Sequence, residues 1–180
     1  AGKGKALSVA DELQYLLKEL DVETDALTPT SRSEVAGVIN ESVTSGIDTL
    51  LAVGGDGLIN QAVNVLAGTD TVLGLIPVGT GNDFARSLNL NSGGLLEQAH
   101  KALSPATEVD LIKCGPHHVS TSVICGFPAV VNLRANELRF PKGSSSYTFA
   151  TLIELPFMSP AIYELKLDGK SLEVTAAAVV

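Results

Sequence analysis

Tryptophan is absent from this 180-residue sequence, aromatic residues supply 4% of it, and methionine occurs once. Cysteine is nearly as scarce, with only Cys114 and Cys125. Two cysteines with no CxxC spacing exclude a disulfide scaffold and give no zinc signature. Both are expected as free, partly buried thiols of a reducing compartment. Cations are short as well: 12 Lys and Arg against 20 Asp and Glu leave a formal net charge of -8 and a pI near 4.8. A protein that binds a polyphosphate backbone by neutralising it needs the opposite balance, which excludes nucleic acid as a partner. No apolar run approaches the roughly 20 residues required to cross a bilayer, and no charged-then-apolar leader opens the chain. A soluble, globular, cytoplasmic protein is expected. Its hydrophobic content of 45% suffices for one good core with a small second lobe.

What the sequence does have is an alternation of helical and strand patterns over its first two-thirds. In "ALSVADELQYLLKEL" (6–20), Ala6, Val9, Ala10, Leu13, Leu16, Leu17 and Leu20 recur at helical spacing and predict a core-facing helix. "SEVAGVINESV" (33–43) repeats the pattern, with Ser33 as its N-cap and Val35, Val38 and Ile39 turned inward. "DTLLAV" is a short apolar run that stops at glycine, as a parallel strand covered on both faces does. "LINQAVNVLAG" follows as a helix closed by Gly68, then "TVLGLIPV" as a second buried strand, "NDFARSLNL" as a short helix and "GLLEQAHKAL" as another. Strand, helix, strand in that order predicts right-handed crossovers and a mainly parallel sheet with flanking helices.

After Pro105 the character changes. "TEVDLIKC" and "HVSTSVICGF" read as consecutive strands, and "YTFATLIELPFM" as a helix ended by Pro156 and Pro160. "AIYELKLDGKSLEVTAAAVV" reads as a hairpin turning at Asp168-Gly169, a type I′ pair. The expected organisation is therefore an α/β lobe over residues 1–105 and the beginning of an antiparallel, β-rich second lobe over 106–180.

Glycine marks the chemistry. "VGGDGL" and "PVGTGNDFAR" each follow a buried strand and precede a helix, so both loops should emerge at the carboxyl edge of one sheet. Glycine brings backbone N–H groups close to a ligand, and the helix N-terminus behind each loop favours an anion. Two such loops side by side suit a polyphosphate. "AGKGKA", with Lys3 and Lys5, has the same construction, although a plain turn explains it as well. There is no GxxxxGK[ST], and "VGGDGL" does not fit GxGxxG, so neither the P-loop nor the dinucleotide fingerprint applies. Without a P-loop lysine, phosphate charge falls to backbone dipoles, Arg86 and a metal ion. Asp56 and Asp83 are suited to holding hydrated Mg²⁺ directly or through water.

These residues carry a resemblance. "GGDG" followed by "LIN" and then by "LGLIPVGTGNDFARSL" resembles the catalytic domain of the diacylglycerol kinase family, lipid kinases related to sphingosine and ceramide kinases and more distantly to NAD kinases. "EVDLIKC" with Asp110, and "CGF" at 125–127, extend the likeness over nearly the whole chain. The resemblance implies ATP-dependent, Mg²⁺-requiring phosphate transfer to a lipid hydroxyl such as that of diacylglycerol, by a protein that visits the membrane surface; a homodimer is compatible with it. Carried over by position, Thr28, the run Gly54, Gly55, Asp56, Gly57, Leu58, Ile59 and Asn60, and Gly79, Thr80, Gly81 and Asn82 would contact ATP. Asp56, Asp83 and Asp110 would form the metal-and-water network. The resemblance also implies that a first strand precedes "AGKGKA" and that the second lobe and the catalytic base lie beyond Val180, so no catalytic residue is named within these residues.

Two positions depart from the family pattern: Leu58 stands where threonine is usual, and Gln61 where glutamate is common. Losing a hydroxyl bonded to a charged phosphate costs roughly 1.5–3 kcal/mol. A degenerate, nucleotide-binding domain without turnover is thus an alternative, and an NAD kinase a further one. His100, His117 and His118 show no ligand spacing, and the histidine pair reads as an exposed turn beside Pro116. Arg134, Arg139 and Lys142 fit either a weakly basic edge facing anionic lipid or a solvated loop. Ser144 to Ser146 read as caps of the helix that follows.

Overall fold

The computed structural model describes residues 2–138, 140 and 144–180. They fall into two compact units, Ala1–Thr121 and Ser122–Val180.

The first unit opens with α1 (Gly2–Glu19), which buries Leu13 and Leu17. The glycine loop expected at "AGKGKA" is instead the first turns of this helix. Gly4 faces open space, so its missing side chain weakens helix propensity without leaving a packing hole. The second helix, α2 (Arg32–Thr44), is capped by Ser31 in extended conformation rather than by Ser33, and it buries Val35 and Ile39. Next come β1 (Thr49–Gly54), α3 (Asp56–Leu66) and β2 (Val72–Pro77), with Gly68 at φ +81° ending the crossover. The two strands pair in parallel, Ala52 opposite Leu75 and Val53 opposite Ile76.

Alternation then sorts side chains to two faces. On one face Ala52 and Leu75 pack with Ile59 and Val63 of α3 and with Phe84 and Ala85 of α4 (Asp83–Ser87). Leu50 joins Ala62 and Leu66 of α3 to Val35 and Ile39 of α2. On the other face Ile76 packs with Leu13 and Leu17 of α1 and with Ala99 and Ala102 of α5 (Leu95–Ala102), flanked by Leu51 and Val53. The result is the expected α/β arrangement, a parallel pair between two helical layers, and apolar burial on both faces holds it.

Of the strand expected over "TEVDLIKC", only β3 (Ile112–Cys114) forms, paired antiparallel with β4 (His117–Val119). Residues 105–110 are exposed and lack a partner strand that would reward extension. The two histidines are not the turn: Gly115, at φ +58°, and Pro116 turn the hairpin, and both histidines lie in β4. Asn64 of α3 docks this hairpin by imitating a strand neighbour. Its Nδ2 donates to His118 O at 2.7 Å and its Oδ1 accepts from His118 N at 2.9 Å.

The run "HVSTSVICGF" is broken into β4 and, in the second unit, β5 (Cys125–Gly126), after which comes a helix not read in the sequence, α6 (Phe127–Glu137). Val131 and Ala135, one helical turn apart, bury against Ala150 of α7 (Ser144–Glu154). The serines at 144–146 form the first turn of α7 rather than caps before it, and a 3₁₀ turn, Leu155–Phe157, takes in Pro156. Arg134 is paired within the unit. Its Nε donates to Glu154 at 2.6 Å and its Nη1 to Glu137 at 3.2 Å, and the Glu154 carboxylate pushes its pKa further up. Arg139 and Lys142 lie outside the described residues. Both cysteines are free, as expected, but exposed rather than partly buried. Strands β6 (Ala161–Leu167) and β7 (Lys170–Ala176) form the expected hairpin, with Asp168 at φ +48° and Gly169 at φ +81° supplying the turn. Finally, β8 (Ala178–Val179) returns to pair antiparallel with β5.

Asn64→Ala removes both bonds to His118 and strands two backbone groups, so stability should fall by about 1–3 kcal/mol. Urea denaturation measures the loss. Hydrogen exchange at the His118 amide should accelerate more than exchange in β1.

Candidate functional site

The parallel pairing of β1 and β2 delivers both glycine loops to one end of the sheet, where a single side chain joins them. Asp56, the first residue of α3, accepts the Asn82 N–H on Oδ2 at 2.8 Å and the Asp83 N–H on Oδ1 at 2.7 Å. Asn82 is left-handed (φ +53°), and its Nδ2 donates to Gly79 O at 2.8 Å, closing its own loop. Arg86 braces the same loop from α4, donating to Gly81 O and pairing with the exposed Asp83 carboxylate at 3.3 Å.

The glycines divide by task. A Cβ built on Gly79 would lie 2.7 Å from Gly55 Cα, and one on Gly81 2.7 Å from Asp56 Oδ2. These glycines let the loops touch each other. Gly57 differs, because nothing lies within 4 Å of a Cβ built there. It opens on a groove of about 450 Å³ lined by Pro29, Thr30, Ser31, Arg32, Val35, Gly57, Leu58 and Gln61. Leu58 lines that groove, packs on the clusters around Ala52 and Leu50, and reaches over Gly54, where its Cδ2 would lie 2.6 Å from an added Cβ. A threonine at 58 would trade this packing for its hydroxyl.

Other expected residues scatter. Ile59 is buried in the core and offers a ligand only its backbone. Asn60 is exposed and its carbonyl accepts from Asn64 at 2.8 Å. Thr80 is exposed in the second loop, and Thr28 is exposed just before the groove's rim begins at Pro29. Asp56 and Asp83 approach one another beside Gly81, whereas Asp110 is exposed on the segment before β3. Among the described residues no three His, Cys, Asp or Glu side chains converge on one point. Asn82 Oδ1, facing Gly79, is the one buried side-chain oxygen or nitrogen among them lacking a hydrogen-bond partner.

The groove's other wall, at the start of α2, went unread in the sequence beyond Thr28. Its signal was there: Ser31-x-x-Glu34 has capping-box spacing. Glu34 reaches back to the rim, accepting from Thr30 N at 3.0 Å and from Thr30 Oγ1 at 2.9 Å. The Thr30 hydroxyl first, then its N–H, hold the Glu34 carboxyl below the usual carboxylate range.

Because the folded pKa of Glu34 is depressed, its hold on the rim is present above the ordinary carboxylate range and lost as pH falls through the folded value. An NMR titration should therefore move the Thr30 amide with a midpoint below that of an unperturbed glutamate. The glycines should separate cleanly. Gly79→Ala forces backbone against backbone and should destabilise by about 1–3 kcal/mol. Gly57→Ala, in a helix beside open space, should leave the melting temperature equal or higher.

The family model of the diacylglycerol kinase catalytic domain matches residues 1–114, and that of the YegS C-terminal NAD kinase beta sandwich-like domain matches residues 121–180. A diacylglycerol kinase of Mycobacterium tuberculosis is 34% identical over 175 residues, covering 94% of this chain and 57% of the relative. One of Bacillus subtilis is 30% identical over 154 residues, covering 82% and 50%. The crystal structure of a diacylglycerol kinase-like protein from Bacillus anthracis superposes with a TM-score of 0.58 at 22% identity, over 84% of this chain and 52% of that one, a likeness of fold. The chain spans about half the length of these relatives. With the family model covering residues 1–114 and the glycine loops joined as described, this chain belongs to the diacylglycerol kinase catalytic-domain family of lipid kinases.

Proposed function

We propose that the chain takes part in ATP-dependent transfer of a phosphoryl group to a lipid hydroxyl of the diacylglycerol type. The observation that carries this reading is the Asp56 bracket, which holds two glycine loops together beside an open groove at Gly57. Backbone N–H groups at the start of α3 face anionic ligands favourably, and glycine at 57 leaves room for phosphate.

The donors present fit a magnesium ion. Mg²⁺ prefers oxygen, keeps several waters and needs only one or two carboxylates. Asp83, the remaining lone pairs of Asp56 and the unpartnered Asn82 Oδ1 would hold it directly or through water; Asp110 would join only through that water. When bound, the ion neutralises charge on the phosphates and polarises the transferred group. The chain's own part is positioning: Asp56 fixes the loops, Arg86 braces Gly81 and Asp83, and Gly57 clears the approach. Thr28 and Thr80 are exposed at the margins and available as hydroxyl donors. No group among these is assigned as the base that removes the lipid's proton. Since a diacylglycerol lies in a bilayer, peripheral contact with a membrane from the cytoplasm belongs to this reading, and assembly as a homodimer is compatible with it.

Labelled ATP supplied with diacylglycerol vesicles and, separately, with NAD tests the proposal. In a protein that joins this chain to the rest of the second lobe the label should enter the organic phase, whereas the 180 residues alone, with no base assigned, should bind without turnover. Asp83→Asn should lower transfer by ~10–100-fold with little change in melting temperature, because its exposed side chain bonds only Arg86. Asp56→Asn is less clean: an amide would set an NH₂ against a backbone N–H and disturb both loops. Label in NAD alone would favour the NAD kinase alternative. Nucleotide binding without transfer to either acceptor would favour the degenerate domain, for which Leu58 is the motive.

A further inference from the structure

The groove contains a cation with an unusual partner. Gln61, one turn into α3, faces Arg32, the first residue of α2. With its amide turned to satisfy both partners, Gln61 Nε2 donates to Arg32 O at 2.9 Å and its oxygen accepts from Arg32 Nε at 3.2 Å. This pair ties the two helix starts together across the groove floor. It holds the guanidinium by Nε, leaving the terminal nitrogens for another acceptor. Among the described residues no carboxylate lies within ion-pair distance of Arg32, whereas Arg86 and Arg134 both have carboxylate partners. Glu34, two positions along α2, is engaged by Thr30. In a chain with net charge -8, a groove wall carrying an arginine without a carboxylate beside it stands out.

We infer that Arg32 binds a phosphate of the nucleotide and that Gln61, being neutral, positions the guanidinium without consuming its charge. The inference rests on the nucleotide reading above and deepens it by naming a phosphate-recognising residue. A carboxylate at 61 would offer the same acceptor geometry to Nε but would neutralise the cation. Glutamine gives position alone. Two helix N-termini end at the same groove and add their field to that of the arginine, so an anion gains from all three. Leu58, Val35 and Pro29 line the remainder of the groove, and Arg32 itself is exposed and so reachable by a ligand.

Calorimetry on the intact chain with MgATP and with adenosine tests this, using wild type, Arg32→Gln and Gln61→Glu. Arg32→Gln should weaken MgATP binding about tenfold while changing adenosine binding less than about twofold. Gln61→Glu should weaken MgATP several-fold while the melting temperature stays equal or rises, since it creates an ion pair. Arg32→Gln binding MgATP as wild type does would overturn the assignment to Arg32. Equal losses for MgATP and adenosine would also overturn it, since they describe an arginine stacked on the base. Unchanged MgATP affinity in Gln61→Glu would overturn the role given to the neutral amide. A wild type that binds neither ligand sinks the nucleotide reading itself, and this inference with it. Thermal melts show that each variant is folded.

Discussion

The carboxylate of Asp56 spans two loops that the chain separates by about two dozen residues, and the site's geometry depends on it. Each oxygen accepts one backbone N–H, from Asn82 and from Asp83. Glycine-rich loops have much conformational freedom to lose on folding, so a site made of them needs a strong, directional contact to select one arrangement. Hydrogen bonds to an ionised acceptor meet that need, being worth roughly 1.5–3 kcal/mol each. The carboxylate also lies at the first residue of α3, where the helix dipole favours negative charge. Asp56 therefore builds the site before it can serve a ligand in it.

That constraint explains why the glycines are not interchangeable. Gly55 and Gly79 face one another backbone to backbone, and Gly81 lies over the Asp56 carboxylate, so side chains there would push the loops apart. Gly54 makes room for Leu58, which couples the loop to the hydrophobic clusters beneath. Only Gly57 is turned to open space beside the groove. Rigid packing on one side and clearance on the other is the division a positioning site needs, because small misplacements of reacting groups are costly in rate.

In the second unit, short pairings and one helix pair perform the same stabilising work with less apolar burial. Val131, Ala135 and Ala150 form its buried cluster, and Arg134 bridges Glu137 and Glu154 at its margin. Many large apolar side chains stay exposed there, Phe157 at 78% and Leu133 at 66% among them. The family model of the YegS C-terminal NAD kinase beta sandwich-like domain matches 60 residues of this region, 121–180.

The elements of the first unit were legible because their information is local. Helical spacing of Leu13 and Leu17 and the abrupt ends of "DTLLAV" and "TVLGLIPV" each encode a backbone conformation within a few residues, as Asp168-Gly169 does for the hairpin of the second unit. Where local signals were weak or contradictory, tertiary contact decided. "AGKGKA" looked like a loop because of its glycines, yet α1 continues through it. α6 went unread, since the contact that rewards it, Val131 and Ala135 on Ala150, comes from another helix. At the site, the sequence by itself determined which residues stand at the ends of two parallel strands, because glycine and aspartate after an apolar run permit few backbone outcomes. It could not reveal that the Asp56 oxygens face Asn82 and Asp83, nor that Arg32 meets Gln61. Those pairings join residues far apart in the chain: the parallel pairing of β1 and β2 brings Asp56 to Asn82 and Asp83, and the packing of α2 and α3 on that sheet brings Arg32 to Gln61.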